Sequence, residues 1–167
     1  MSKIASVDCS FAEYQLAMYG LARAYQQIDA ALQAGAPYCP AELPSYDARL
    51  PILLADLRHM GIAPPAVSGS PLAPPSNCAS YIGMRYVIEG SNLGAKVIAS
   101  NLSRSNIATD ITLAHSFWSN TNPWHNCWPI MVRLLAALQS RDEIAQSAWT
   151  ARRTFRHFIT CLLPQKE

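Results

Sequence analysis

From Phe11 onward, apolar residues recur at Tyr14, Met18, Leu21, Tyr25, Ile28 and Leu32. The spacing of 3, 4, 3, 4, 3, 4 puts all seven on one helical stripe. Ser10 and Glu13 frame the start as a capping box, and Gly35 with Pro37 stops the helix. A Pro-rich connection over 36–45 leads to a shorter helix over 46–60, carried by Leu50, Leu53, Leu54 and Leu57. Pro51 belongs in its first turn or at a kink, and Gly61 ends it. Residues 61–75 contain five prolines and read as a long loop. A third helix is expected over 77–103, then a turn or loop at 104–110 and a short helix or irregular segment at 111–118. Turn chemistry fills 119–123, and a helix runs from Trp128 or Pro129 to Gln139. Ser140 and Glu143 form a second capping box, opening a last helix that carries Ile144, Ala148, Ala151, Phe155, Phe158 and Leu162 as far as Pro164. No alternating pattern persists, and no repeat of 20–50 residues is visible. The expected fold is all-α: one domain over 1–167, a bundle of five or six helices.

Composition narrows the function classes. The chain has 167 residues, 50% hydrophobic and 14% charged, enough apolar content for a packed core and too little charge for disorder. Its net charge is +2, and the basic residues are scattered except for Arg152, Arg153 and Arg156. A nucleic-acid binder would carry a dense basic stripe, so no nucleic-acid partner is expected. The longest apolar candidate, 81–102, is broken by Arg85, Glu89 and Lys96, so no membrane span is expected. The first residues lack the apolar stretch of a secretory signal, which makes the cytoplasm the expected compartment. Five widely spaced cysteines, Cys9, Cys39, Cys78, Cys127 and Cys161, read as packed, reduced thiols rather than a zinc or disulfide framework.

The informative segment is 86–98. Gly90 and Gly94 lie inside a helical pattern, each at a cost of about 1 kcal/mol relative to alanine, so something must offset them. Gly83, Val87, Gly90, Gly94 and Val97 share one face. Such a face serves either close packing of another helix, the commoner use, or close approach of backbone to a flat ligand. The polar pair Ser91 and Asn92 beside the glycines shifts the balance toward a ligand. Arg85 and Glu89, four residues apart, are expected to pair.

Tyr86 to Ala95 resembles the distal helix of bacterial heme oxygenases, the type found beside bacteriophytochromes. Those proteins show a tyrosine, a Val-Leu/Ile-Glu-Gly-Ser run, then Leu-Gly and a small residue. Looser similarity extends over the stripe from Phe11 to Ile28, the stretch from Leu53 to Gly61, the aromatic segment His115-Ser116-Phe117-Trp118 with Trp128, and Arg153-Thr154-Phe155. The resemblance implies an all-α fold that holds heme between a proximal and a distal helix and opens the porphyrin to biliverdin, CO and iron, with electrons from a donor. It implies that the backbone of Gly90 and Gly94 faces bound O₂, with Ser91 and Asn92 in the distal polar network. Gly83, Tyr86 and Val87 would line the heme, and Lys96 and Arg104 would meet its propionates; Arg152 and Arg153 are further cations of the right charge.

In the family the proximal histidine lies on a first helix, before the tyrosine matched by Tyr14. None of the thirteen residues before Tyr14 is histidine, so that helix is expected to be absent from this sequence, through a start that lies upstream, through loss of the helix, or with another residue ligating iron, and the metal ligand is unassigned. The remaining candidates read blandly. His59 suits a helix end, His115 borders an aromatic cluster, His125 lies in a turn-rich loop, and His157 is expected to be exposed beside arginines. Cys9 is a weak alternative, since an unassisted thiol is mostly protonated at neutral pH. The histidines show no paired helical metal motif, and Ser91 lacks the Gly-x-Ser-x-Gly elbow of a hydrolase. Trp118, Trp124 and Trp128 read as core or interface. A second expectation follows from the absent helix: a non-catalytic helical module that binds a partner or forms a homodimer through exposed parts of the first stripe.

Overall fold

The computed structural model describes residues 6–66, 71–112, 114–119 and 127–163, and everything below concerns these. They form five α-helices and no strand: α1 (Phe11–Ala34), α2 (Leu50–His59), α3 (Cys78–Leu102), α4 (Trp128–Ala136) and α5 (Arg141–Leu162), with a 3-10 turn at Ala36–Tyr38. Pro164, Trp124 and His125 lie outside the described residues, as does most of the turn expected at 119–123.

Both expected capping boxes form. Ser10 accepts the Glu13 N–H and Ser140 accepts the Glu143 N–H, while each glutamate reaches back to its cap. A third box, between Asn77 and Ser80, opens α3. Two boundaries differ from expectation. α2 starts at Leu50 rather than 46, because the buried Asp29 carboxylate on α1 accepts the Tyr46 hydroxyl (2.6 Å) and the Arg49 and Leu50 N–H groups (2.9 and 2.8 Å). That carboxylate is the cap of α2, supplied from another helix, and Pro51 falls in the first turn as expected. α4 ends at Ala136, short of Gln139, and 36–38 tighten into 3-10 geometry.

The stripe of α1 is the centre of the core: Tyr14, Met18, Tyr25, Ile28 and Leu32 are fully buried. α5 lies across α1 and along α3, and α2 packs on α1. The stretches 105–112 and 114–119 form turns and bends rather than a helix and are fastened from three sides. The Tyr14 hydroxyl donates to the Ala114 carbonyl (2.6 Å), and the fully buried Asp56 accepts the Ser116 and Phe117 N–H groups (3.1 and 2.8 Å). Trp118 donates its indole N–H to the Met18 sulfur.

The last helix corrects the sequence reading. Only part of its expected stripe faces the core: Phe158 packs edge-on against Tyr25, whereas Ile144 and Phe155 are 51% and 50% exposed, as is Ile159 beside them at 57%. The buried side is Ser147, Thr150, Thr154 and Cys161. The cause is the distance of approach. A Cβ on Gly20 of α1 would lie 2.8 Å from the Cys161 carbonyl oxygen, and one on Gly83 of α3 would lie 2.2 Å from that of Ser147. At such spacing only small side chains fit between the backbones. The Thr150 and Thr154 hydroxyls are satisfied within α5 by the carbonyls of Gln146 and Thr150, both at 2.9 Å.

Candidate functional site

The glycine face of α3 divides along its length. Gly83 is notched against Ser147, so at that point the face serves helix packing and leaves no room for a ligand. Val87 is buried. One turn on, a Cβ on Gly90 would meet the Trp128 ring at 3.3 Å, and Tyr86 stacks on the same ring with centroids 5.5 Å apart. Among the described residues a Cβ on Gly94 would meet nothing within 4 Å, and Leu93 and Val97 beside it are exposed. The face is therefore closed by α5 at Gly83, edged by Trp128 at Gly90 and open at Gly94. An open glycine in an unbroken helix fits a flat ligand lying against backbone.

Behind Gly90 sits a charge cluster that the sequence pattern reveals only in part. Arg85 and Glu89 pair as expected, Nη2 to Oε1 at 2.9 Å and Nε to Oε1 at 3.1 Å, and the pair is buried. The Arg85 guanidinium also donates to the Pro44 carbonyl (3.3 Å), stands over the Tyr46 ring and lies 4.0 Å from the Cys127 sulfur. Arg49, also buried, places Nη2 3.6 Å from Glu89 Oε2 and donates from Nη1 to Asn92 Oδ1 at 2.6 Å. Asn92 in turn donates Nδ2 to Glu89 Oε2 (3.1 Å). With Asp29 holding the Arg49 N–H, two acids and two arginines balance in charge, as burial requires. Burial raises the Asp29 carboxyl above its ordinary range, and the hydrogen bonds from Tyr46, Leu50 and Arg49 and the Arg49 charge oppose that rise.

Sequence reasoning missed Arg49, Asp29 and Asp56 as structural polar groups. For the two acids the signal was present in the phase of each helix: Asp29 lies four residues after Tyr25 and three before Leu32, and Asp56 lies three after Leu53, all on buried faces. Arg49 gives no such signal, because its partners come from α3.

The other candidates scatter. Ser91 is exposed and donates to the Ile88 carbonyl (2.7 Å). Lys96 is exposed. Arg104 is exposed and folds back on the end of α3, donating to the Ser100 carbonyl and Asn101 Oδ1. Arg153 donates to the Ala73 carbonyl (2.6 Å) and stacks on Trp149, which ties α5 to the proline-rich loop; Arg152 is exposed. His59 is exposed at the end of α2, and His115 is exposed with Nδ1 3.1 Å from the Ile111 carbonyl. His157 is half-buried, not exposed as expected: its Nε2 lies 3.2 Å from the Ala24 carbonyl and 3.7 Å from the Cys161 sulfur, in the seam between α1 and α5. Burial lowers its pKa, with the Ala24 carbonyl opposing and Arg23 adding to the fall. Cys9 is buried, with its thiol on the Ser10 carbonyl. No contact of these histidines or of Cys9 brings them to Gly90 or Gly94, and no cluster of three metal-binding side chains occurs among the described residues. No described helix is long and apolar enough to cross a membrane.

No family model matches the chain. Its fold is that of the heme oxygenases: the NO- and CO-bound heme oxygenase of Neisseria meningitidis superposes over 96% of this chain and 81% of that one, with a TM-score of 0.70 at 19% identity. In sequence it is similar to a heme oxygenase of Xanthomonas campestris pv. campestris (strain 8004), 36% identical over 120 residues, which span 70% of this chain and 68% of that protein. The chain belongs to the heme oxygenase family.

Proposed function

We propose that this chain is a single-domain heme oxygenase of the bacteriophytochrome-associated bacterial type, with heme as substrate and cofactor and α3 as the distal helix. The observation that carries the reading is the open backbone face at Gly94, beside the half-shielded Gly90, in a helix whose first half packs closely. Heme, when bound, supplies both the iron that activates O₂ and the ring that is opened to biliverdin, CO and iron. The residues of the chain do the rest. Gly94 leaves the space a side chain would fill. Leu93 and Val97 offer apolar surface beside it, and Tyr86 with Trp128 closes one edge. Asn92, anchored by Arg49 and Glu89, fixes polar groups next to the glycine segment, where they can hold water and pass protons. Ser91 holds its hydroxyl on the Ile88 carbonyl, beside the buried Tyr25. Lys96 and Arg104 are exposed cations toward the end of α3, suited to propionates. An electron donor is a required partner of the reaction. The iron ligand is to be found by replacing His59, His115, His125, His157 and Cys9 singly and reading the heme spectrum.

The test is a heme titration of the purified chain followed through the Soret band. Saturable one-to-one binding that Gly94→Leu abolishes supports the reading. Equal binding by both proteins removes Gly94 from the site. The exposed face of α5 favours a second reading, a non-catalytic module that self-associates through Ile144, Phe155 and Ile159. Light scattering decides it: a dimer lost in Phe155→Asp supports it, and a monomer refutes it.

A further inference from the structure

The charge cluster behind α3 has a consequence beyond holding helices together. Glu89 uses both oxygens: Oε1 is gripped by Arg85, and Oε2 accepts from Asn92 while facing Arg49. Asn92 is thereby fixed at both ends of its amide, nitrogen to Glu89 and oxygen to Arg49. Beyond Asn92 the helix loses lateral support. Among the described residues nothing lies within 4 Å of a Cβ on Gly94, and Leu93, Lys96 and Val97 are exposed. Burial resumes fully only at Leu102, with Ala95, Ile98 and Ala99 partly covered between. A helix with two glycines and little packing is prone to open locally. The last buried anchor before the open stretch is the Glu89–Asn92–Arg49 contact.

We infer that Glu89, oriented by Arg85, is a positioning residue: through Asn92 and Arg49 it sets and stiffens the α3 backbone at Gly90–Gly94. Arg85 is itself rigid, since it is held by the Pro44 carbonyl and stands on the Tyr46 ring. Arg49 is fixed at its backbone by Asp29. The glycine segment is therefore tied, through two side chains of α3, to the loop before α2 and to α1. The role for a ligand rests on the heme reading above; the stiffening itself does not.

The test is amide hydrogen exchange of the full chain, without added heme, in the wild type, Glu89→Gln and Asn92→Ala. Exchange at 90–98 is expected to quicken at least tenfold in both variants. Over 78–86 and α1 it should change less than twofold. Asn92→Ala, at a half-buried position, keeps the test open if Glu89→Gln fails to fold. Unchanged exchange at 90–98, or equal quickening across α1, α3 and α5, overturns the positioning role and leaves a general structural ion pair. A heme titration separates the two proposals. If the wild type binds heme, Asn92→Ala should displace its absorbance maxima, and identical maxima overturn the coupling to the site. If the wild type binds none while 90–98 loosens in the variants, positioning stands and the heme reading fails.

Discussion

Gly83 and Gly94 lie on one face of one helix, about three turns apart, and meet opposite surroundings. At Gly83 the Ser147 carbonyl of α5 sits where a methyl group would go; at Gly94 none of the described residues comes within 4 Å of that position. The two halves of α3 differ in the same way. Its first half is buried on nearly every side, from Ala79 to Glu89, whereas most of 91–100 is exposed. A glycine in a helix costs stability wherever it stands, so each needs a compensating use. Close packing of α5 supplies it at Gly83. No packing supplies it at Gly94, which makes that glycine the better indicator of a ligand. The lesson is that a small-residue face can hold two uses in succession, and only its surroundings tell them apart.

The comparison can be broken most forcefully at Gly83. Gly83→Val should destabilise the fold by about 3 kcal/mol or more, because the obstacle is backbone and cannot rotate away. A urea melt near that of the wild type would show that the seam with α5 yields. A smaller effect probes the other seam of α5, with α1, at His157. Burial lowers the His157 pKa, so the native state binds this proton less readily than the unfolded chain. Stability should therefore rise with pH between the depressed value and the unfolded value near 6.5, and be lost as the pH drops through that window. The ring is only half-buried and solvent screens it, so the loss should stay below about 1 kcal/mol. Comparison of urea midpoints at acidic and neutral pH for wild type and His157→Gln checks this: the slope should flatten in the variant. The effect of opposite sign belongs to Gly94→Ala. With open space around it, this change should stabilise by about 0.5–1 kcal/mol. A lower melting temperature would mean that this stretch of α3 is not a plain exposed helix.

Helix existence was legible because period and caps agree. The α1 stripe and the two capping boxes at Ser10 and Ser140 need only neighbours in sequence, and all three are found. The resemblance at Tyr86–Ala95 likewise needs only neighbours in sequence. The direction of α5 was not. Hydrophobic periodicity put Ile144 and Phe155 on the inward stripe, but contact with Gly20 and Gly83 selects small side chains, so the Ser147–Thr150–Thr154 face turns inward. The cluster at Arg49, Glu89 and Asn92 was equally out of reach, since Arg49 and Asn92 are 43 positions apart and only the fold joins them. The start of α2 shifted because its cap, Asp29, comes from α1.

The central claim is that the open stretch of α3 is where heme lies. Its most direct test is a heme titration of wild type and Gly94→Leu side by side, with a thermal melt of each. The account predicts a saturable one-to-one Soret spectrum for the wild type and its loss in Gly94→Leu, while the variant melts no lower than the wild type. The same spectrum and the same affinity in both proteins would contradict it.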